Sequence, residues 1–299
     1  MKDYGNDFTN WSGNFAVNTA AKPVRKLSGA LQGLLTFGQF KWFTDAQHAE
    51  RLSFASELVW FLIDNGNTNE NIEFILMAID AVMNGGSVDV DDRIINLLTG
   101  RANCVYEKLE SANGSLFKET IGAFIDDPQY NLGIIIGECS TSDTGCTNGD
   151  LVESINQVTI IIEDTTQPSL ELAATILHEG IHAEIFRYVS RFENNIDPNN
   201  RSKLLQLYQF YKGLTNNKNY DGSPVSDAQH VYMAENYVAK IADAIRELDG
   251  NKYSREYYMW YGWEGLEEYD FKNRLTPNLE TQYNNYQNIV NANTSFNCN

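Results

Sequence analysis

The chain is poor in basic residues and in long apolar runs. It has 22 Lys and Arg against 40 Asp and Glu, so its formal net charge is -18 at pH 7. A phosphate backbone would repel such a chain, which argues against nucleic acid as a partner and disfavours an anionic membrane surface. No stretch reaches the roughly eighteen uninterrupted apolar residues that a spanning helix needs. We therefore expect no membrane span.

The beginning of the chain also lacks the apolar core of a secretory signal, since residues 1–18 are polar. Either the protein stays inside the cell, or this chain is the trimmed or internal part of a longer exported protein. Few Lys and many Asn, Asp, Thr and Tyr favour an extracellular or cell-surface location. Cysteine is scarce, and only Cys139 and Cys146 are close in sequence. They flank a polar, turn-rich loop that a disulfide could clamp, whereas their spacing does not suit a structural zinc site.

Histidine is scarce too, yet two of the four histidines lie in the run His178-Glu179-Gly180-Ile181-His182. Composition alone predicts on the order of 0.004 occurrences of this His-Glu-x-x-His pattern. Apolar residues recur around it at helical spacing, from about Leu170 to Val189. On one helix the two imidazoles share a face and can share a zinc ion, with Glu179 beside them as a candidate general base.

A catalytic zinc needs a third protein ligand and one open position. The segment 227–236 offers Asp227, His230 and Glu235. On a helical wheel His230 and Glu235 diverge too far to bind one ion together. Asp227 is at the expected helix start, where its charge also suits the helix dipole. We favour His230, because neutral imidazole is the best ligand available, and Glu235 and Asp227 stay open as alternatives.

The pattern of apolar residues predicts an α+β fold that is predominantly helical. A helical N-terminal region, residues 1–103, precedes a domain at 104–299 in which the active-site helix lies beside a small β-sheet. The expected strands are Leu132–Ile136 and Val158–Ile162. The expected helices are 45–63, 69–83, a short one after Asp91-Asp92 at 94–98, 106–125 with a break at Gly114, 204–214 and 225–248.

Two segments allow two interpretations each. The strand Val158–Ile162 could offer a free backbone edge to an extended peptide, or it could be an ordinary paired core strand. The aromatic segment Tyr253–Trp263 could pack in the core or line a binding cleft.

Four segments of the chain carry a resemblance to a known family. They are Cys104-Val105-Tyr106, Thr175–Ala183 with the His-Glu-x-x-His run, His230-x-x-Met233-Ala234, and Trp260–Leu266. Through them the chain resembles the zincin-like metallopeptidases, and more narrowly predicted bacterial zincin domains at the C-terminal ends of large exported or surface proteins. The resemblance implies zinc and a third histidine ligand at position 230, and it implies no defined substrate. In that group the aromatic segment usually ends Gly-Gly-Leu, whereas here Glu264 interrupts the glycines.

These observations predict a zinc-dependent metallopeptidase that acts on protein or peptide, with Glu179 as general base. Tyr237 is a candidate donor to the oxyanion, and Glu171 and Glu184 could orient the imidazoles. Two alternatives stay open. One is a non-catalytic binding or structural module in which the metal is structural or absent, and the other is a toxin-type effector protease with one specific target.

Overall fold

The computed structural model describes residues 29–45, 50–90, 93–125, 127, 129–139, 143–152, 156–222 and 227–298. This part of the chain is predominantly helical with a small mixed sheet, which is the predicted α+β class. The chain forms two compact units, Met1–Leu97 and Leu98–Asn299. The predicted boundary between residues 103 and 104 falls inside a helix of the second unit, Gly100–Ala112.

The first unit consists of four helices and a β-hairpin in its described residues. The helices are α1 (Gly29–Gln32), α2 (Phe37–Phe43), α3 (Glu50–Asn65) and α4 (Asn69–Met83), and the strands are β1 (Ser87–Asp89) and β2 (Ile94–Asn96). Thr36 and Thr68 cap α2 and α4 by accepting hydrogen bonds from the backbone N–H three residues later. The apolar faces of α3 and α4 meet in a core that includes Phe61 and Phe74, whose ring centroids are 5.0 Å apart.

The predicted helix at 94–98 is wrong, because Ile94–Asn96 is a strand that pairs antiparallel with β1. An apolar run this short does not distinguish a helix from a strand by its periodicity, and its β-branched residues favour the strand. The predicted helix start at Asp91-Asp92 lies outside the described residues.

The second unit contains the remaining elements. They are α5 (Gly100–Ala112), α6 (Ser115–Glu119), a 3-10 turn at Ile121–Phe124, β3 (Asn131–Ile136), β4 (Gly145–Asn148), β5 (Gln157–Ile162), α7 (Ser169–Ser190), α8 (Arg201–Tyr211), α9 (Ala228–Asn236), α10 (Val238–Leu248), 3-10 turns at Arg255–Tyr258 and Glu267–Tyr269, α11 (Met259–Trp263) and α12 (Pro277–Asn293).

Two predicted helices are divided. The helix expected at 106–125 ends at Asn113, which has a left-handed backbone with φ of 49°, and short helical turns follow it. The helix expected at 225–248 is interrupted at Tyr237, whose φ of -117° separates α9 from α10.

The strand β5 is the middle strand of the sheet in this unit. It pairs parallel with β3 on one side and antiparallel with β4 on the other, and all six of its residues are buried. The interpretation of Val158–Ile162 as a free edge is therefore wrong, and the paired core strand is correct. Among the described residues β4 pairs with β5 alone, so β4 is the edge strand.

The helix α7 is buried on nearly every side rather than along one stripe. Of its 22 residues, 18 are buried. Gly180 permits the close packing of the 3-10 turn, since a Cβ there would lie 2.9 Å from Ile121 Cγ1. A helix that is covered all round is rigid, which suits a helix that carries a reactive site.

Two disulfides fasten this unit. Cys139 and Cys146 form the predicted local bridge, and Cys104 pairs with Cys298 over a sequence separation of 194 residues. The aromatic segment packs largely in the core, with Tyr258, Tyr261 and Trp263 buried. Within the described ranges, no helix has both the length and the apolar character required to cross a bilayer.

Candidate metal centre

Three imidazoles lie together at the surface of α7 that faces α9. His178 and His182 come from consecutive turns of α7, and His230 comes from the first turn of α9. Their ring centroids are 5.1 to 5.5 Å apart. One potential ligand atom of each residue lies within 4.8 Å of the others, which is compatible with a single metal ion.

A hydrogen-bond chain fixes the orientation of His182. Gln229 donates from Nε2 to the carbonyl oxygen of Arg201 at 3.0 Å, so its Oε1 faces His182 Nδ1 at 2.6 Å. Because an amide oxygen only accepts, His182 carries its proton on Nδ1 and directs the lone pair of Nε2 toward the other imidazoles. This Nε2 atom is buried and finds no hydrogen-bond partner in the described part of the chain. A buried nitrogen that is left unpaired in this way fits a metal ligand.

Burial keeps all three imidazoles neutral. It lowers the pKa of His178 to about 3, with further contributions from His230 and from the positive charge of Arg201. Burial also lowers the pKa of His182 and of His230, and Arg201 acts in the same direction on both. Neutral imidazole is the form that binds a divalent metal.

Glu179 lies beside the imidazoles in a buried position and is 5 % exposed. Thr147 of β4 donates a hydrogen bond to Glu179 Oε2 at 2.9 Å, and the other carboxyl oxygen, Oε1, lies 4.0 Å from His178 Nε2. Burial raises the pKa of Glu179 to about 7, although the Thr147 hydrogen bond and the charge of Arg201 oppose the shift. A carboxyl with a pKa near neutrality can both accept and return a proton at physiological pH.

The alternative ligands lie outside the group of three histidines. Glu235 forms an ion pair with Lys272, with 3.0 Å between Oε1 and Nζ. Asp227 is next to the cluster, because its Oδ1 is 3.9 Å from His230 Nδ1, but it does not belong to the group.

The other predicted accessory residues contact different partners. The hydroxyl of Tyr237 faces that of Tyr208 at 3.4 Å, in a buried position. Glu171 accepts a hydrogen bond from Asn291, and Glu184 forms a buried ion pair with Arg187. In the described residues none of these three side chains hydrogen-bonds to an imidazole of the cluster.

Four residues around the centre were missed by sequence reasoning: Thr147, Arg201, Gln229 and Tyr269. The ring of Tyr269 packs on His230 with 4.9 Å between centroids. Of these four, only Gln229 could have been proposed from the sequence, because it directly precedes the candidate ligand His230. Thr147, Arg201 and Tyr269 reach the centre through β4, α8 and the last 3-10 turn, whose positions the local sequence does not reveal.

The loop after α11 also reaches the centre. Gly265 has a φ of +76°, and a Cβ at this position would lie 4.0 Å from His178 Cε1. Glu264, which interrupts the expected glycines, is largely buried beside it, and its pKa is raised to about 7 by burial and by the charges of Glu171 and Glu267.

Comparison of the chain with protein families, with curated proteins and with solved structures finds no match.

Proposed function

We propose that the chain is a zinc-dependent peptidase of the zincin-like group, which hydrolyses peptide bonds in proteins or peptides. The observation that carries the proposal is the convergence of three neutral imidazoles, those of His178, His182 and His230, next to the buried carboxyl of Glu179. Three histidines with an open fourth position are a ligand set typical of catalytic zinc.

Each residue has a separate task in this reaction. Zinc held by the three imidazoles would supply Lewis acidity toward water and toward a substrate carbonyl. Glu179 takes a proton from the attacking water and returns it to the leaving amine. Thr147 holds one oxygen of that carboxyl, which leaves Oε1 for the proton transfer. The new C–O bond forms first, and the C–N bond then breaks as the amine receives the proton, so each turnover consumes one water.

The position of β4 supports a peptide as the substrate. This edge strand lies against α7, and its Gly145 approaches Glu179 so closely that a Cβ would lie 3.3 Å from Glu179 Cγ. An extended peptide can add to a sheet edge through backbone hydrogen bonds. In this proposal β4, rather than the predicted β5, provides that edge.

The charge and the disulfides support two further parts of the proposal. The net charge of -18 is unfavourable for binding nucleic acid. Two disulfides favour an oxidising compartment, so we propose an extracellular or cell-surface location.

The experiment compares the wild type with Glu179→Gln and His230→Ala. We expect wild-type protein to bind one zinc and to cleave members of a peptide library. Glu179→Gln should keep the zinc and lose cleavage, whereas His230→Ala should lose both. Glu235→Gln is the matched control, because it changes an exposed carboxylate of the same helix as His230 that lies outside the group of three histidines. Zinc retained by the wild type without cleavage of any peptide would favour a binding or structural module instead.

A further inference from the structure

The free edge of β4 can be located from the pairing of the sheet. Glu163 N–H donates to Thr144 O, so residue 144 directs its backbone toward β5. Pairing alternates along an antiparallel ladder, and Cys146 and Asn148 therefore also face β5. The intervening residues, Gly145 and Thr147, direct their backbone N–H and C=O groups away from the sheet.

One end of this edge is covered by the beginning of α8 and the turn before it. Arg201 Nη2 donates to Thr147 O at 3.0 Å, and Gly149 N–H donates to Asn199 Oδ1 at 3.2 Å. Gly145 is buried, so the outward-facing group of β4 that an extended peptide can reach is the N–H of the half-buried Thr147. A bound chain that pairs there meets the side chain of Arg201 at once.

The guanidinium at this closed end has spare hydrogen-bonding capacity. An arginine side chain carries five N–H donors. In the described chain, one donor of Arg201 bonds to a protein acceptor, the carbonyl oxygen of Thr147. Arg201 forms no ion pair with a described Asp or Glu, although acidic residues outnumber basic ones 40 to 22. The side chain is half-buried, and its backbone is held by the hydrogen bond from Gln229.

Arg201 also lies close to the reacting groups. Its Nη2 donates to the carbonyl oxygen of Thr147, whose hydroxyl donates to Glu179, and its own carbonyl oxygen is linked through Gln229 to His182. A cation there, beside a bound dication, attracts an anion and repels a substrate ammonium group. A guanidinium with free donors pairs with a carboxylate through two parallel hydrogen bonds.

We propose that Arg201 binds the C-terminal carboxylate of the substrate, so that the enzyme removes one or a few residues from the free C-terminus of a peptide. This inference rests on the proposed peptidase function. The carboxylate of the substrate lies at the Arg201 end of β4, beside Thr147. Hydrolysis then releases an amino acid or a short peptide, and the proton from water passes to its new amino group.

The test uses two peptides of the same sequence, one with a C-terminal carboxylate and the other with a C-terminal amide. For zinc-loaded wild type we expect kcat/KM to be about 10- to 150-fold higher for the carboxylate, the range given by one or two charge-assisted hydrogen bonds. In Arg201→Met the ratio should fall to about 1. Arg201→Lys should keep part of the preference, because it keeps the charge and loses the planar fork.

A binding measurement separates this inference from the peptidase function. In calorimetry with Glu179→Gln, which binds without turnover, the peptide with a C-terminal carboxylate should bind more tightly than the peptide with a C-terminal amide. If the zinc enzyme cleaves both peptides equally and Arg201→Met slows both equally, Arg201 is structural and the inference is overturned while the peptidase function stands. If nothing is cleaved yet Glu179→Gln prefers the carboxylate, the carboxylate site stands and the peptidase function fails.

Discussion

Replacing Gln229 with leucine should weaken both zinc binding and the fold. The amide of Gln229 connects His182 Nδ1 to the carbonyl of Arg201 through hydrogen bonds of 2.6 and 3.0 Å. Leucine fills a similar volume but makes neither bond. His182 then loses the acceptor that fixes its tautomer and ring orientation.

The magnitude follows from the role of such acceptors in metal sites. Removing a group that orients a ligating histidine lowers metal affinity about 10- to 100-fold, or about 1.4–2.7 kcal/mol. The same change leaves the buried Nδ1–H of His182 without its acceptor, which costs about 1–3 kcal/mol of unfolding free energy.

The assay is a zinc titration against a chromophoric chelator, with urea denaturation of the metal-free protein in parallel. Gln157→Leu is the matched control, because Gln157 is a buried glutamine whose amide bonds to Thr159 rather than to a histidine. It should destabilise the fold and leave zinc affinity unchanged. Gln229→Glu should restore much of the affinity, since a carboxylate accepts the same bond from His182. Wild-type zinc affinity in Gln229→Leu would refute the reasoning.

Three further predictions concern stability, each measured by urea denaturation of metal-free protein. Arg187→Met should lower the free energy of unfolding by roughly 3–5 kcal/mol, because it leaves the buried carboxylate of Glu184 without its cation and leaves Asp127 with Arg191 alone. Arg191→Met, at a side chain that is 48 % exposed, should cost less than about 1 kcal/mol, and equal losses would contradict this. The pKa of Glu264 is raised from 4.5 to about 7, because the folded state favours the neutral carboxyl. The contribution of this carboxyl to the stability of the fold is therefore intact below pH 4.5 and is lost as the pH rises through 7. The free energy of unfolding of Glu264→Gln should therefore exceed that of the wild type by roughly 3 kcal/mol at pH 8 and match it at pH 4, and an advantage at both pH values would argue against ionisation as the cause. Cys298→Ser removes the bridge between residues 194 positions apart and should cost up to about 5 kcal/mol, and reductant should cost the wild type at least as much, because it also opens Cys139–Cys146.

The site was predictable where its chemistry lies within one helical segment. The spacing of His178, Glu179 and His182 is local, and the apolar residues around it specify a helix whatever surrounds them. The strands at 131–136 and 157–162 were also visible, since β-branched runs bounded by turn residues are a local signal.

Other features depended on contacts between distant segments. The strand β4 has only four residues, and none of them forms an apolar run. Its position at the sheet edge is fixed by its pairing with β5, so the sequence left open whether Val158–Ile162 was an edge or a paired core strand. The break at Tyr237 was missed for the same reason, because tertiary packing outweighs weak local preference. The strand at Ile94–Asn96 was missed because an apolar run this short does not distinguish a strand from a helix by its periodicity.

The amino-acid sequence by itself determined the helix that carries two imidazoles and a carboxyl, because four-residue spacing on a helix places side chains on one face. Only the tertiary structure decided which residues surround them. It brought His230 close enough to His178 and His182 for the three to share one ion. It also brought Gln229 into hydrogen-bond contact with His182, and Thr147 into contact with Glu179. Arg201 came to lie at the end of β4. The contacts of Thr147 with Glu179, of Gln229 with His182 and of Arg201 with Thr147 join residues that are 32, 47 and 54 positions apart in the sequence. Such contacts form only when sheet and helices pack, and local periodicity carries no information about that packing.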